Sequence, residues 1–421
     1  MQVKQLLIAL TGLFFMALNK GHKYVIPIKE YVIKNVKAIR SINPDDTSFT
    51  DLSVIGNSIG HSGIVMLGEQ DHGDAASILA KIRLIKYLHT KLGFNTLFFE
   101  SDFYGLNRSM SDSDVGVTDE EEFLSDNIYP VWTYCKQFEP ILLYIKQCKD
   151  QNNPISVSGF DVEFNGKYSA ESFKEQLKQR LESISIALDT NESKIIDTVL
   201  YSIRSSQKLS GPSLVDLEKL LSKAVSFFAE YQPNSFWIPA IRTLLAHAQE
   251  VAIIDSYPDS AMEIRERQMA SNIGWLLNNK YRNSKVIIWS ANAHIEKNSS
   301  KGFEKQFGIY RSMGEYLTQI VNGNDIYCLA MASRKGRSGR VFQQQYQLPE
   351  PSKFGFENWI DEKLDYAFVD FRKYSQYSSR ATAFNMCNPD HANIKALWTN
   401  IYDGVFYIKT MYPCEQTQSS F

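Results

Sequence analysis

Four short runs of apolar residues predict buried strands of one parallel sheet. They cover residues 64–67, 96–99, 155–158 and 286–289. These runs are rich in β-branched and bulky side chains, which is typical of strands that helices cover on both faces. Three later segments, 326–331, 366–371 and 405–410, have the same character and are predicted to complete the sheet. The pattern therefore indicates an α/β fold with a mainly parallel sheet flanked by helices.

Helical spacing of apolar residues predicts helices between these strands. Segment 75–92 places its isoleucines on one face, and Asp74 stands where a helix cap is expected. Segment 171–255 is typical of several consecutive helices, and another helix is predicted over 259–280. We interpret 171–255 as a helical insertion that forms a lid or one wall of a cleft. Its aromatic residues fit either an apolar ligand or ordinary helix packing: Tyr231, Phe236 and Trp237.

Each of the first four predicted strands is followed by a carboxylate or a histidine. In chain order these residues are Glu69 with His72, Glu100, Asp161, and His294. The carboxyl ends of parallel strands meet at one edge of a sheet, so these side chains are expected to converge there. Any single carboxylate could instead cap a helix, and any single histidine could bond a backbone carbonyl in the core. Repetition at four strand ends favours a shared site.

The other histidines lack this context and are assigned to structural or surface positions: His22, His61, His89, His247 and His391. The chain has no Gly-x-Ser-x-Gly elbow, no glycine-rich phosphate loop, no Cys-x-x-Cys and no His-Glu-x-x-His. The carboxylates and histidines at the strand ends are suitable ligands for zinc or manganese. No local ligand spacing supports such a site, so no metal and no cofactor are expected.

Segments 68–73 (Gly-Glu-Gln-Asp-His-Gly) and 289–294 (Trp-Ser-Ala-Asn-Ala-His) resemble the erythromycin esterase family. The family pattern is Gly-Glu-x-x-His-Gly, then a strand that ends in Glu, and later Trp-x-His-Asn-Ala-His. Further segments look like family blocks in the expected order: 129–132, 159–161, 265–272 and 312–317. The resemblance covers roughly residues 50–410.

The resemblance implies a hydrolase that cleaves a carboxylic ester, with the macrolactone of erythromycin-like macrolides as a candidate substrate. It implies His72 as the general base on a water molecule, without an acyl-enzyme. Glu69 and Glu100 would hold this histidine and the water, and His294 would stabilise the oxyanion. Supporting or substrate-binding roles are implied for three more residues: Lys81, Asp161 and Arg265. A histidine suits this task because its side chain titrates near neutral pH.

Two positions depart from the family pattern. Ala291 replaces the first histidine of Trp-x-His-Asn-Ala-His, and Lys81 replaces an arginine. If the missing histidine normally stabilises an oxyanion, its loss costs on the order of 3 kcal/mol of transition-state stabilisation. Lysine keeps the positive charge but lacks the planar fork of arginine. Two alternatives therefore stay open: a hydrolysis-deficient member that binds a hydrophobic or glycan-like ligand, and a metal-dependent hydrolase of another bond.

Composition and charge agree with a folded enzyme that acts on a small molecule. The 421 residues are 44% hydrophobic, which is ample for a large core. Lys and Arg number 45 against 47 for Asp and Glu, a net charge of -2. This balance argues against a nucleic-acid partner. The expected partner is a small-molecule ester substrate, and the oligomeric state is left open.

The amino terminus predicts export. Residues 6–18 are mostly apolar and follow Lys4, so 1–20 is interpreted as a signal peptide or an N-terminal anchor ahead of a catalytic domain over 40–415. The protein is expected to be periplasmic or secreted, with no stable membrane span after cleavage and a tether if the segment stays. The five cysteines suit a bacterial periplasm with few disulfides, and Cys387 with Cys414 is one candidate pair.

Overall fold

The structure is a computed structural model that describes residues 26–107, 119–205, 209, 211–303, 311–378 and 381–417. The predicted signal peptide or anchor over 1–20 lies outside these residues. Within the described part of the chain, no helix is both long enough and apolar enough to cross a membrane.

The predicted mainly parallel sheet is confirmed. The strands are β1 Lys37–Ile39, β2 Ile64–Leu67, β3 Thr96–Asp102, β4 Ser156–Asp161, β5 Val286–Trp289, β6 Ile326–Ser338, β7 Tyr346–Gln347, β8 Tyr366–Asp370, β9 Phe384–Cys387, β10 Asn393–Ala396 and β11 Gly404–Met411. In the described residues, nine of them form one sheet in the order β1-β8-β11-β6-β2-β5-β3-β4, with β7 paired to β6. The six strands from β11 to β4 run parallel, whereas β8 and β1 add an antiparallel edge.

Helices cover both faces of this sheet. They are α1 Ile28–Asn35, α2 Ser53–Ile59, α3 Ala75–Leu92, α4 Phe103–Leu106, α5 Glu120–Asn127, α6 Pro130–Thr133, α7 Glu139–Asp150, α8 Lys167–Ser183, α9 Thr190–Arg204, α10 Gly211–Tyr231, α11 Trp237–Ile253, α12 Pro258–Asn279, α13 Ser299–Gly302, α14 Met313–Ile320, α15 Phe371–Tyr377 and α16 Trp398–Ile401. Alternate residues of the buried strands face two separate apolar clusters. In β2, for example, Met66 belongs to one cluster and Val65 to the other.

The segment 171–255, which we call the insertion, contains consecutive helices as predicted, from α8 to α11. Its aromatic residues Phe236 and Trp237 pack on Phe103 and Tyr104 at the end of β3, with ring centroids 5.3 and 5.9 Å apart. Tyr231, in contrast, is 63% exposed. Phe236 and Trp237 therefore follow the second interpretation, ordinary helix packing, and they bury the insertion against the face of the sheet that holds Met66.

Two local expectations were wrong. Asp74 precedes α3, but its carboxylate makes no cap hydrogen bond with that helix and binds residues distant in the chain instead. The disulfide joins Cys135 to Cys414, and Cys387 is a free buried thiol. Cys414 reaches Cys135 because Lys136 and Thr417 hydrogen-bond the C-terminal segment to the chain after α6.

Candidate active site

The loop after β2 holds Glu69 and His72 against each other. The Glu69 carboxylate is fully buried, and its Oε1 atom accepts hydrogen bonds from His72 Nδ1 at 2.8 Å and from Trp132 Nε1 at 2.9 Å. A carboxylate only accepts, so this contact assigns the proton to Nδ1 of His72. Nε2 is left as the basic nitrogen, on a side chain that is 17% exposed.

Lys81 pairs with the second oxygen of Glu69. Its Nζ atom lies 2.7 Å from Glu69 Oε2 and 2.9 Å from the carbonyl oxygen of Ser290, and it sits 4.4 Å from the centre of the Trp289 ring. Burial lowers the pKa of Lys81, although the negative charge of Glu69 opposes that change. By these distances the Lys81 ammonium group bonds one oxygen of Glu69 and one backbone carbonyl at the end of the neighbouring strand β5.

Glu100 at the end of β3 lies at the centre of the charged groups. Its Oε2 atom accepts from Ser290 Oγ at 2.6 Å and from the backbone N–H of Ala291 at 2.8 Å. Its Oε1 atom lies 3.1 Å from His294 Nε2 and 3.9 Å from His72 Nε2. Burial would raise the pKa of Glu100, but the charge and hydrogen bond of His294 hold it well below its usual range.

His294 is bound on both sides by carboxylates. Nε2 faces Glu100, and Nδ1 donates a hydrogen bond to Glu266 of α12, which in turn accepts from the backbone N–H of Met313 at 2.5 Å. Burial opposes a charge on this ring, yet Glu100 and Glu266 raise the pKa of His294 well above its ordinary value. The ring is therefore an imidazolium, which suits the stabilisation of negative charge and not the removal of a proton.

Arg265 connects Asp161 to the same cluster. Its guanidinium bonds the Asp161 carboxylate at 2.9 and 2.5 Å and lies 3.4 Å from Glu100 Oε1. Beyond it stand Glu163 and the insertion residue His247, which interact electrostatically. Burial raises the pKa of Glu163, and Arg265 opposes that rise. The insertion therefore contributes His247 to one side of the cluster.

The structure brings all the predicted site residues into one continuous network: Glu69, His72, Lys81, Glu100, Asp161, Arg265 and His294. Each carboxylate faces at least one positively charged or hydrogen-bond-donating side chain, which satisfies its buried charge. Within the described ranges, no three His, Cys, Asp or Glu side chains are grouped so that they would surround one metal ion.

Sequence reasoning missed two members of the network, Glu266 and Trp132. Both fall inside segments that resemble family blocks, 265–272 and 129–132, so a signal for them existed. Their roles depend on side chains that are 28 and 63 residues away along the chain. No local pattern identifies such partners.

The fold and the site together define a class of α/β proteins in which a buried carboxylate holds a histidine at the carboxyl edge of a parallel sheet. The chain belongs to the erythromycin esterase family, whose sequence model matches residues 89–410. This membership places it among the hydrolases.

The individual relatives are distant in sequence, and each match covers more than two thirds of both chains. An erythromycin esterase type II of Escherichia coli is 24% identical over 87% of this chain and 94% of its own length. YbfO of Bacillus subtilis, which its name assigns to the hydrolases, is 24% identical over 70% of each chain. The open conformation of a mutant of the erythromycin esterase EreC superposes with a TM-score of 0.66, at 14% identity, over 90% of this chain and 98% of that one. The structural likeness concerns the fold alone.

Proposed function

We propose that this protein hydrolyses a carboxylic ester of a small molecule by direct attack of water, with His72 as the general base. The observation that carries the proposal is the hydrogen bond from His72 Nδ1 to the buried Glu69, which leaves Nε2 free to accept a proton. A water molecule near His72 Nε2 and Glu100 Oε1, which lie 3.9 Å apart, would be within hydrogen-bond reach of both atoms.

The proposed reaction needs no covalent enzyme intermediate. The water oxygen forms a bond to the acyl carbon while His72 Nε2 takes the water proton. The ester carbon–oxygen bond then breaks, and His72 returns this proton to the leaving alkoxide, which yields an acid and an alcohol. The protonated His294 stabilises the oxyanion through its positive charge, since its two ring N–H groups face Glu266 and Glu100. A preorganised positive charge lowers the energy of that transition state.

The test is mass spectrometry of erythromycin and a panel of simpler esters after incubation with the purified protein. We expect the substrate to gain one water, with no covalent adduct on the quenched enzyme and equal turnover in excess chelator. His72→Ala is expected to lower kcat by a factor of about 10³ or more, because the proton acceptor is lost. His61→Ala is the matched control, since His61 is an exposed histidine.

Each outcome decides a separate point. Turnover of a simple ester but not of erythromycin would keep the mechanism and discard the macrolide as substrate. A wild-type rate in His72→Ala would overturn the assignment of the base. A mass increase on the quenched enzyme that corresponds to the acyl group would overturn direct attack by water.

Ala291 favours a second candidate function, a family member that binds its ligand without hydrolysing it. Its backbone N–H is engaged with Glu100, and its methyl group cannot donate the hydrogen bond that a histidine would supply. Ala291→His discriminates the two candidates. If the wild type hydrolyses no ester of the panel and Ala291→His turns over an ester about 10²-fold or more above the detection limit, the natural protein is a binder. Equal hydrolysis by both forms would show that position 291 is not needed.

We also propose that the protein works outside the cytoplasm. The Cys135–Cys414 disulfide supports this proposal, since structural disulfides persist in oxidising compartments. The apolar segment over residues 6–18 is a second argument. Cell fractionation with thiol labelling before and after reduction tests it. Recovery in the cytoplasmic fraction with both thiols reactive would contradict it.

A further inference from the structure

His391 belongs to the turn between β9 and β10 and lies beside the loop that follows β2. The imidazole is almost completely buried, and its Nε2 atom lies 3.0 Å from Asp74 Oδ1. Its Nδ1 atom lies 3.2 Å from Ser333 Oγ of β6. Burial opposes a charge on this ring, but Asp74 raises the pKa of His391. A protonated ring donates from both nitrogens, so it can bond Asp74 and Ser333 at the same time.

Ser333 carries this connection to Gln70. Both its hydroxyl and its backbone N–H donate to Gln70 Oε1 at 2.8 Å, and the Gln70 amide donates to the carbonyl oxygen of Cys387. The backbone N–H of Asp390 donates to the carbonyl oxygen of Gln70. His391 is therefore linked to residue 70 through Ser333 and to residue 74 directly, and these two residues flank His72.

The turn that presents His391 adopts an unfavourable backbone conformation. Asp390 and His391 have φ angles of +49° and +57°, in the left-handed region that costs free energy for residues other than glycine. Such a conformation persists only where the surroundings determine it, and it is frequent at functional sites. Here it directs the ring of His391 into the interior beside Asp74.

We propose that His391 is a positioning residue for the hydrolysis, a brace that fixes both ends of the loop carrying Glu69 and His72. The inference rests on the proposed function of His72. The loop also has internal bonds, from Asp71 N–H to Asp74 and from Gly73 N–H to Asp71. Those bonds shape the loop, whereas His391 and Ser333 attach it to β6 and to the β9–β10 turn. Without the attachment, the Glu69–His72 pair shifts relative to Glu100, which belongs to β3.

The first experiment compares His391→Asn with the wild type. Asparagine tolerates the left-handed backbone but is too short to bridge Asp74 and Ser333. We expect kcat to fall by about 10- to 100-fold with KM within about threefold, because a misplaced base affects the transition state more than ground-state binding. His89→Asn is the matched control, since His89 is also buried and hydrogen-bonded, to Tyr144, away from the site. Its kcat is expected to equal that of the wild type.

A second variant keeps the proposal testable if His391→Asn does not fold. Ser333→Ala removes the hydroxyl that connects His391 to Gln70. It keeps the backbone bond from residue 333 to Gln70 and the His391–Asp74 pair, so we expect a smaller fall in kcat, again with KM little changed. A folded His391→Asn or Ser333→Ala protein with wild-type kcat would overturn the brace. An equal loss in His89→Asn would also overturn it, because any buried histidine would then have the same effect.

A measurement without substrate separates this inference from the proposed function. The NMR signal of the His72 Cε1–H group, assigned with the His72→Ala protein, reports the surroundings of that ring at fixed pH. We expect the chemical shift of this signal to change in Ser333→Ala and to equal that of the wild type in His89→Asn. If no ester is hydrolysed but the signal moves, the brace stands and the proposed reaction fails. An unmoved signal in a folded Ser333→Ala protein overturns the brace whatever the reaction is.

Discussion

At the scale of single residues, the site balances its buried charges in pairs. Glu69 faces Lys81, Asp161 faces Arg265, and Glu100 faces His294. Removing one partner of a buried pair leaves an uncompensated charge, which typically costs about 3–5 kcal/mol. The pairs therefore maintain the arrangement on which the proposed chemistry depends, with Nδ1 of His72 bonded to Glu69 and His294 positively charged.

Glu266→Gln tests the charge on His294. Burial lowers the pKa of His294, but Glu100 and Glu266 raise it above the unfolded value of about 6.5. The charged ring therefore stabilises the fold, and this contribution is complete below the unfolded pKa. It is lost as the pH rises through the folded pKa. The variant lowers the folded pKa. We expect the alkaline limb of kcat/KM to move to lower pH, with a loss on the order of tenfold near pH 8 and little change near pH 6.

The matched control for this prediction is Glu263→Gln. Glu263 lies on the same helix, α12, and bonds the Tyr316 hydroxyl instead of a site residue. Its pH profile is expected to follow that of the wild type. A profile of Glu266→Gln that coincides with the wild type would mean that Glu266 does not maintain the charge of His294.

At the scale of elements, the C-terminal segment 411–417 ties the active-site loop to the chain after α6. Cys414 N–H donates to the carbonyl oxygen of Gly73, and Ala75 N–H donates to that of Tyr412. The same segment reaches Cys135 through the disulfide. It thus links the loop of His72 to the short helix that carries Trp132, and Trp132 and His72 both bond Glu69 Oε1.

The double variant Cys135→Ser with Cys414→Ser is expected to be less stable and less active. The disulfide closes a loop with a sequence separation of 279 residues, so chain entropy gives an upper estimate of about 5 kcal/mol of stabilisation. We expect Tm to fall by up to about 6 °C, because a chain of 421 residues loses only about 1 °C of Tm per kcal/mol, with a parallel loss of kcat. Thermal unfolding with and without reductant measures the effect.

Reductant provides the internal control for this prediction. It is expected to lower the Tm of the wild type to that of the double variant and to leave the double variant unchanged. An equal response of both proteins would show that the reductant acts elsewhere, since Cys148, Cys328 and Cys387 are free thiols in both.

At the scale of the whole molecule, the site lies at the middle of the sheet. The strands β2, β5 and β3 are neighbours, and each delivers a site residue from its carboxyl end. The antiparallel edge, β8 and β1, lies beyond β11, away from the site.

Buried acids outside the site make the global stability depend on pH. Burial raises the pKa of Asp102 to about 6 and that of Glu357 to about 7.

Glu357→Gln is expected to stabilise the protein at alkaline pH. Glu357 accepts a bond from Cys387 N–H, and its Oε2 atom has no hydrogen-bond partner among the described residues. With the folded pKa raised to about 7, the neutral acid favours the fold below the unfolded pKa of 4.5, and this contribution is lost as pH rises through about 7. The shift corresponds to about 3 kcal/mol.

Denaturant unfolding at two pH values measures this prediction. The free energy of unfolding of Glu357→Gln is expected to equal that of the wild type near pH 4 and to exceed it by about 3 kcal/mol near pH 8. Asp365→Asn is the control, because this carboxylate is largely exposed. A difference that is the same at both pH values would mean that ionisation of Glu357 is not its cause.

The sequence by itself determined the strands of the sheet centre and the convergence of their ends. Segments 64–67 and 286–289 are strands with those bounds, and helix 75–92 has the predicted length. Local patterns suffice here because apolar runs of strand length and helical spacing depend on neighbours along the chain. The convergence of Glu69, Glu100 and His294 followed from one general rule about parallel sheets.

Only the tertiary structure decided which partner each of these groups takes. Asp74 binds His391 across 317 residues of sequence instead of capping α3, and Cys414 pairs with Cys135 instead of Cys387. Glu266, one of many acidic residues in the chain, is the one that reaches His294. Hydrogen bonds and disulfides act only at contact distance, and the distance between remote residues is set by how the helices pack on the sheet.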